Sequence, residues 1–271
     1  VPQEGAPAFS VPQKEEPAAM LASRAAELGA PYGVVPPLGA YEAETGEKVE
    51  LGLAGAHQRE NAALAIGLAN AFLTKRAGGS VAGLWEPFKL TDGYLRGLRE
   101  AHWAGRSHRL DVRHSGLDAP LLHCVDGAHT EDSLRASARW FLSEVEKERQ
   151  QGVELELVLV FNCSHGRDEG RLLSALAGEL EAADVCLSAA LFCNFDTTLH
   201  PVPEKQEIAE QERNASKWRE VAGKRAGEVS VHPSIPHALE AAAARQEGGR
   251  RQAALVTGSL YLAGGWLECL R

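Results

Sequence analysis

From residue 121 onward, short apolar runs bounded by turn residues alternate with longer segments of mixed polarity. Residues 121–125, 155–161, 184–192 and 253–257 read as strands. Between them, residues 131–149, 169–181 and 234–245 read as helices, and the apolar stretch 260–270 as a last one. Residues 204–223 are densely charged and read as a solvated surface helix around Trp218. Four strands alternating with helices predict a parallel sheet covered on both faces. A charged strand over 108–114 is expected to precede it, hairpinning through Ser115, Gly116, Leu117 and Asp118 into the strand that begins at Leu121.

The first hundred residues follow a looser pattern. Residues 8–11 read as a strand, 17–28 as a helix with Pro17 in its first turn, and 32–35 as a second strand before Pro36-Pro37. Strand, helix, strand is a βαβ unit. Residues 49–53 alternate as an edge strand does, and 62–73 form an Ala/Leu-rich helix, apolar around most of its circumference and so expected to be buried. Gln58 and Asn61 share a face of its first turn, where two amides can pair with a heterocycle edge or cap the helix. A boundary is placed near 94–105.

Composition narrows the class. The 271 residues suffice for one large domain or two ordinary ones, and 44% hydrophobic with 24% charged residues is a soluble globular composition. A net charge of −9 argues against a nucleic-acid or anionic-membrane binder, while leaving room for a local basic pocket. Five cysteines without a CxxC pair point to reduced thiols in an intracellular protein. No apolar run approaches the roughly 20 residues that span a bilayer, and no signal peptide is visible. His102, His108 and His114 lack a helical metal face and read as surface residues; no metal site is expected. The chain begins at Val1, without Met, and reads as a fragment.

Candidate chemistry concentrates where strands end. The apolar run closing at Val125 passes into Asp126-Gly127-Ala128-His129-Thr130 and then a helix, which holds Asp126 and His129 at the mouth of a cleft. The bland alternative is an acidic turn followed by an N-capping threonine. Ser164 and Ser259 occupy the same position after their own strands, so a ligand is expected along that edge. Arg106, beside Gly105, is set to reach an anion bidentately. No Walker phosphate loop, GxGxxG fingerprint or GxSxG elbow occurs.

Four motifs then add a sharper indication. Gly55-Ala56-His57-Gln58-Arg59-Glu60-Asn61-Ala62, Trp103-Ala104-Gly105-Arg106, Val125-Asp126-Gly127-Ala128-His129-Thr130 and Val256-Thr257-Gly258-Ser259 resemble, in order and spacing, the folylpolyglutamate synthase family of the Mur ligase superfamily. Phe161-Asn162-Cys163 and His232-Pro233-Ser234-Ile235 extend the likeness over essentially the whole chain, and Thr130 resembles the eukaryotic branch. The resemblance implies an α/β fold: residues 1–93 as the end of a P-loop ATPase domain, 94–105 as linker, and 106–271 as a Rossmann-like, mostly parallel glutamate-binding domain. It implies a ligase that uses ATP to add L-glutamate to the γ-carboxyl of a folate through an acyl phosphate. Gln58 and Asn61 would face the adenine, Arg106 the phosphates, and Asp126 the ribose. His129 and Ser259 would place the glutamate, with Arg106 and His129 in the chemistry. ATP and Mg²⁺, with K⁺ as a further ion, are the implied cofactors, and the implied enzyme is a cytoplasmic or mitochondrial monomer.

The family's phosphate loop, magnesium ligands and most of its folate site lie upstream of the residues present, so the isolated chain is expected to lack ligase activity. The loop 164–168 departs from the family pattern, and no role carries over to His165 or Arg167. A dihydrofolate synthase or bifunctional folate ligase would share every motif, and a non-catalytic binding module would keep the sheet.

Overall fold

Apolar strands that must hide both faces need helices on each side, and the second half of the chain supplies them. The computed structural model describes residues 6–80, 83–113, 120–163, 166–198, 208–245 and 250–271. The chain divides into two compact units, Val1–His102 and Trp103–Arg271.

The second unit contains β3 (His108–Val112), β4 (Leu121–Val125), α5 (Glu131–Gln150), β5 (Leu155–Phe161), α6 (Glu169–Ala182), β6 (Ala189–Cys193), α7 (Ala209–Ala222), β7 (Glu228–His232), α8 (Ile235–Ala244), β8 (Arg251–Thr257) and α9 (Leu260–Cys269). The six strands form one sheet in the order β3-β4-β8-β5-β6-β7. β3 is antiparallel to β4 and every other pair is parallel. Alternate residues of a strand face opposite sides. Leu159 and Leu255 gather with Phe141 of α5, Leu176 of α6 and Trp218 of α7. Val158, Val160, Ala254 and Val256 instead pack with Ile235 and Ala238 of α8 and with Leu262 and Trp266 of α9. The sheet is therefore doubly wound, with α5, α6 and α7 on one face and α8 and α9 on the other.

The first unit carries β1 (Ala8–Ser10), α1 (Glu15–Glu27), β2 (Tyr32–Val34), α2 (Leu38–Thr45), α3 (Gln58–Arg76) and α4 (Asp92–Glu100). β1 and β2 pair in parallel, as a βαβ unit requires. Val35, Leu38, Tyr41, Val49, Ala63, Ile66 and Leu90 form the core, with Phe88 edge-on to both Tyr41 and Tyr94.

Several expectations need correcting. Residues 49–53 are not a strand: Val49 N–H goes to the Glu42 carboxylate at 2.9 Å and Gly52 N–H to the Leu98 carbonyl, which leaves no ladder to build. α3 is buried on one face only; Leu68, Phe72 and Leu73 lie exposed on the other. The charged helix 204–223 is observed as α7, and it is no solvated rod. Gln211, Ala215, Trp218 and Ala222 form a buried stripe at helical spacing, and Trp218 is fully buried. The edge strand β7 and helix α2 had no predicted counterpart. Residues 92–100, at the start of the expected linker, are helical. Ser115, Gly116, Leu117 and Asp118, like Ser164 and His165, fall outside the described residues. All five cysteines are free. No helix among the described residues is long and apolar enough to cross a membrane.

Candidate functional site

β4 and β8 are neighbours, yet the helices that follow them, α5 and α9, cover opposite faces. Their connecting turns therefore diverge and open a crevice at the carboxyl edge, the switch point at which doubly wound sheets bind ligands. Backbone bonds tie the two turns together at its floor. Asp126 N–H donates to the Val256 carbonyl at 2.9 Å and Gly258 N–H to the Ala128 carbonyl at 3.0 Å. Gly127 permits the close approach of α9, because a Cβ there would lie 2.3 Å from Leu260 Cδ2.

Four of the expected site residues meet at this crevice. His129 is half-buried, and its Nδ1 lies 2.9 Å from the Gly127 carbonyl. A carbonyl only accepts, so Nδ1 carries the proton and Nε2 of the neutral ring presents a lone pair. Thr130 caps α5, in a reciprocal box in which Ser133 Oγ accepts from Thr130 N–H at 2.9 Å and from His129 N–H at 3.0 Å. Ser259 is buried and caps α9, its Oγ accepting from Tyr261 N–H at 3.1 Å while its hydroxyl hydrogen remains available to donate.

Asp126 is only 6% exposed. Burial pushes its carboxyl above the usual range, against the pull of the Ser107 and Ala128 N–H groups and the Arg106 charge. Arg106 is half-buried on the turn before β3. Among the described residues its guanidinium forms no ion pair, whereas Arg109 and Arg251 nearby in sequence and sheet are fully paired.

Sequence reasoning gave no role to four participants. Ser107 binds the Asp126 carboxylate, and a serine after Gly-Arg gives no hint of it. The Arg167 guanidinium reaches across from the β5–α6 loop to the His129 carbonyl, bridging two loops of the crevice. Asn162 and Thr257, at the ends of β5 and β8, are fully buried with side-chain polar atoms that find no partner among the described residues. Buried amides and hydroxyls are normally satisfied, so these two are polar positions that the described residues do not complete.

In the first unit Gln58 and Asn61 do share a face: Asn61 Nδ2 donates to Gln58 Oε1 at 3.0 Å, and Gln58 Nε2 lies 2.9 Å from His57 Nε2. Neither amide is the cap, since His57 occupies the N-cap position. A cavity of about 190 Å³ at the carboxyl ends of β1 and β2 is lined by Val11, Pro37, Leu38, Arg59, Glu60 and Ala63. No group of three or more His, Cys, Asp or Glu among the described residues is arranged to hold a metal ion.

Fold and crevice together define a Rossmann-like α/β domain with a polar crevice at its switch point. Residues 109–269 match the family model described as dihydrofolate synthetase, C-terminal domain, and the chain belongs to that family. It is similar to the mitochondrial folylpolyglutamate synthase of Homo sapiens, 38% identical over 188 residues, which cover 64% of this chain and 31% of that protein. A folylpolyglutamate synthase of Arabidopsis thaliana is 28% identical over 98% of this chain and 54% of its own length. Among solved structures, Mycobacterium tuberculosis folylpolyglutamate synthase complexed with ADP and AMPPCP superposes with a TM-score of 0.62 at 18% identity, over 97% of this chain and 54% of that one. A bifunctional folylpolyglutamate synthase/dihydrofolate synthase from Yersinia pestis, complexed with AMPPNP and Mn ion, gives 0.55 at 15% identity, over 99% and 54%. The structural matches show the shared fold. The chain spans between about a third and about half the length of these relatives.

Proposed function

We propose that this chain supplies the glutamate-binding part of an ATP-dependent ligase of the folylpolyglutamate synthase type. In that reaction ATP phosphorylates the γ-carboxylate of a folate, and the amine of an incoming L-glutamate attacks the acyl phosphate. Two anions must be brought together, so the site has to neutralise charge and hold an amine with its lone pair free. His129 suits the second task. With Nδ1–H committed to Gly127, Nε2 is the atom that accepts an ammonium proton from the glutamate. Ser259 donates its hydroxyl to a glutamate carboxylate, and Arg167 brings a cation to the same rim.

Arg106 is the residue for the nucleotide phosphates, as a guanidinium that forms no ion pair among the described residues, with Asp126 beside it on the nucleotide side. Gln58 and Asn61 offer a paired amide edge of the kind that reads adenine. Magnesium, with potassium as a possible second ion, would accompany the phosphates rather than a ligand set built from the described residues. We place the enzyme in the cytosol or mitochondrion, as a monomer.

The observation that carries this reading is the convergence of His129, Ser259 and Arg106 on one crevice in a chain of this family. Its test is a chimera in which residues 1–271 replace the matching half of the Arabidopsis relative, assayed for ATP-dependent addition of glutamate to a folate. Turnover is expected, and His129→Ala should remove about 10²–10⁴ of it while leaving the fold intact. Turnover within about twofold of the parent in that variant would contradict the assignment. Dihydropteroate accepted in place of the folate would point to the sister synthase.

A further inference from the structure

The turn that carries Arg106 has an uncommon backbone. The residues on either side of the arginine, Gly105 and Ser107, are both left-handed, at φ +74° and +41°. Glycine adopts this freely, whereas serine holds it only where neighbouring groups over-determine it. Those groups belong to the turn after β4. Asp126 Oδ2 accepts Ser107 N–H at 2.7 Å and the Ser107 hydroxyl at 3.3 Å. Asp126 Oδ1 accepts Ala128 N–H at 2.9 Å, and Gly127 N–H closes the clasp on the Gly105 carbonyl at 2.8 Å. Both oxygens of a buried carboxylate are thus occupied by the protein's own donors. Three bonds from two consecutive residues, Asp126 and Gly127, hold one short turn, and the side chain this fixes is a half-buried guanidinium with no ion-pair partner among the described residues.

We propose that Ser107 is a positioning residue, latched by Asp126, that sets the direction in which Arg106 presents its guanidinium to a polyphosphate. This rests on Arg106 as the phosphate residue. A bidentate guanidinium needs its plane set within a narrow angle, and a side chain with that many rotatable bonds gains most from a fixed base. The same carboxylate also holds Ala128, next to His129, so one buried acid registers the cationic side of the crevice against the histidine side.

Inorganic tripolyphosphate tests this directly, because it carries phosphates and no ribose. It is titrated into the 271-residue chain and followed through the Arg106 Nε–H resonance, with amide hydrogen exchange at Ser107 measured in parallel. Asp126→Asn can satisfy only one of the two N–H groups. It should weaken tripolyphosphate binding about tenfold and speed Ser107 exchange by a similar factor. Combined with Arg106→Ala it should add nothing beyond that substitution alone. Ser107→Pro, which loses both the N–H and the left-handed backbone, should match Asp126→Asn. Ser107→Gly keeps both and should recover affinity to within about threefold of the parent. The two Ser107 variants leave the carboxylate in place and carry the comparison if the Asn variant does not fold. Tripolyphosphate affinity unchanged by Asp126→Asn, with AMPPCP affinity reduced, would make Asp126 a direct ribose ligand and overturn the proposal. If Arg106→Ala itself leaves tripolyphosphate binding unchanged, the phosphate reading fails, and the latch is then judged on Ser107 exchange alone. Exchange that Asp126→Asn does not alter would overturn the latch as well.

Discussion

The two ends of the second unit's sheet handle charge in opposite ways. On the α5 face, toward the amino end of β8, the Arg109 side chain binds Glu144 at 2.9 Å, Glu148 at 2.5 Å and Asp111 at 3.3 Å, although its own Cα lies opposite Cys124 of β4. Arg251 closes the set on Glu148, Asp111 and the Pro120 carbonyl. Glu144 and Glu148 are almost fully buried, and each has at least two cationic or guanidinium partners. At the carboxyl end Arg106 has no counter-ion among the described residues, and Asp126 is engaged by N–H and O–H donors. One end spends its charges on itself and the other leaves them for something else. The first pattern belongs to stability and the second to binding.

Breaking the paired end should give the largest effect. Glu148→Ala removes the buried carboxylate that Arg109 and Arg251 share, leaving them Glu144 and Asp111, and should destabilise the second unit by about 3 kcal/mol, read from denaturant melts. A loss under about 1 kcal/mol would show the network to be solvated. Arg106→Ala should behave in the opposite sense. In the chimeric ligase it should cost about 2–4 kcal/mol of transition-state stabilisation, while unfolding shifts by no more than about 0.5 kcal/mol. If unfolding shifts as much as turnover falls, the contrast between the ends is lost.

Thr257→Val sharpens the comparison at smaller scale. It replaces a buried hydroxyl that has no partner among the described residues with an isosteric methyl, so stability should hold or rise by about 1 kcal/mol. A loss of similar size would mean the hydroxyl is satisfied by bound water.

The smallest expected effects are pH slopes, and they should differ in sign. Burial pushes Glu144 up, but the bonds from Lys147 and Arg109 outweigh it and hold the carboxyl below its usual range. Its stabilisation is present above the unfolded value, near 4.3, and is lost as pH falls through the lower folded value. Asp126 is raised, so its contribution is present below about 3.9 and is lost as pH climbs through the folded value. Relative to the parent, Glu144→Gln should therefore narrow its deficit as pH falls, and Asp126→Asn should narrow its deficit as pH rises. Parallel pH profiles for the two variants would contradict this.

Much of the parallel sheet was legible because each central strand is a mostly apolar run between turn residues. Edge strand β7, Glu-Val-Ser-Val-His, alternates polar and apolar as an edge strand does, but it is short and follows a charged helix, and it was passed over. α7 misled through composition: its charges are real, but the Gln211, Ala215, Trp218, Ala222 stripe at helical spacing was there to be counted. The Asp126–Thr130 turn and Ser259 were found because a strand-end polar cluster has a physical meaning without tertiary contacts. Ser107 and Asp126 lie 19 residues apart, and Arg251 and Asp111 140 apart; no local pattern encodes which of these pair.

The central claim is that the carboxyl edge between β4 and β8 receives glutamate. The most direct measurement is a titration of the 271-residue chain with L-glutamate, followed by amide and imidazole resonances. Saturable shifts at His129 and Ser259, with D-glutamate weaker and residues 109, 148 and 251 silent, are the predicted result. Shifts absent from His129 and Ser259, or centred on the Arg109–Glu148–Arg251 end, would contradict the account.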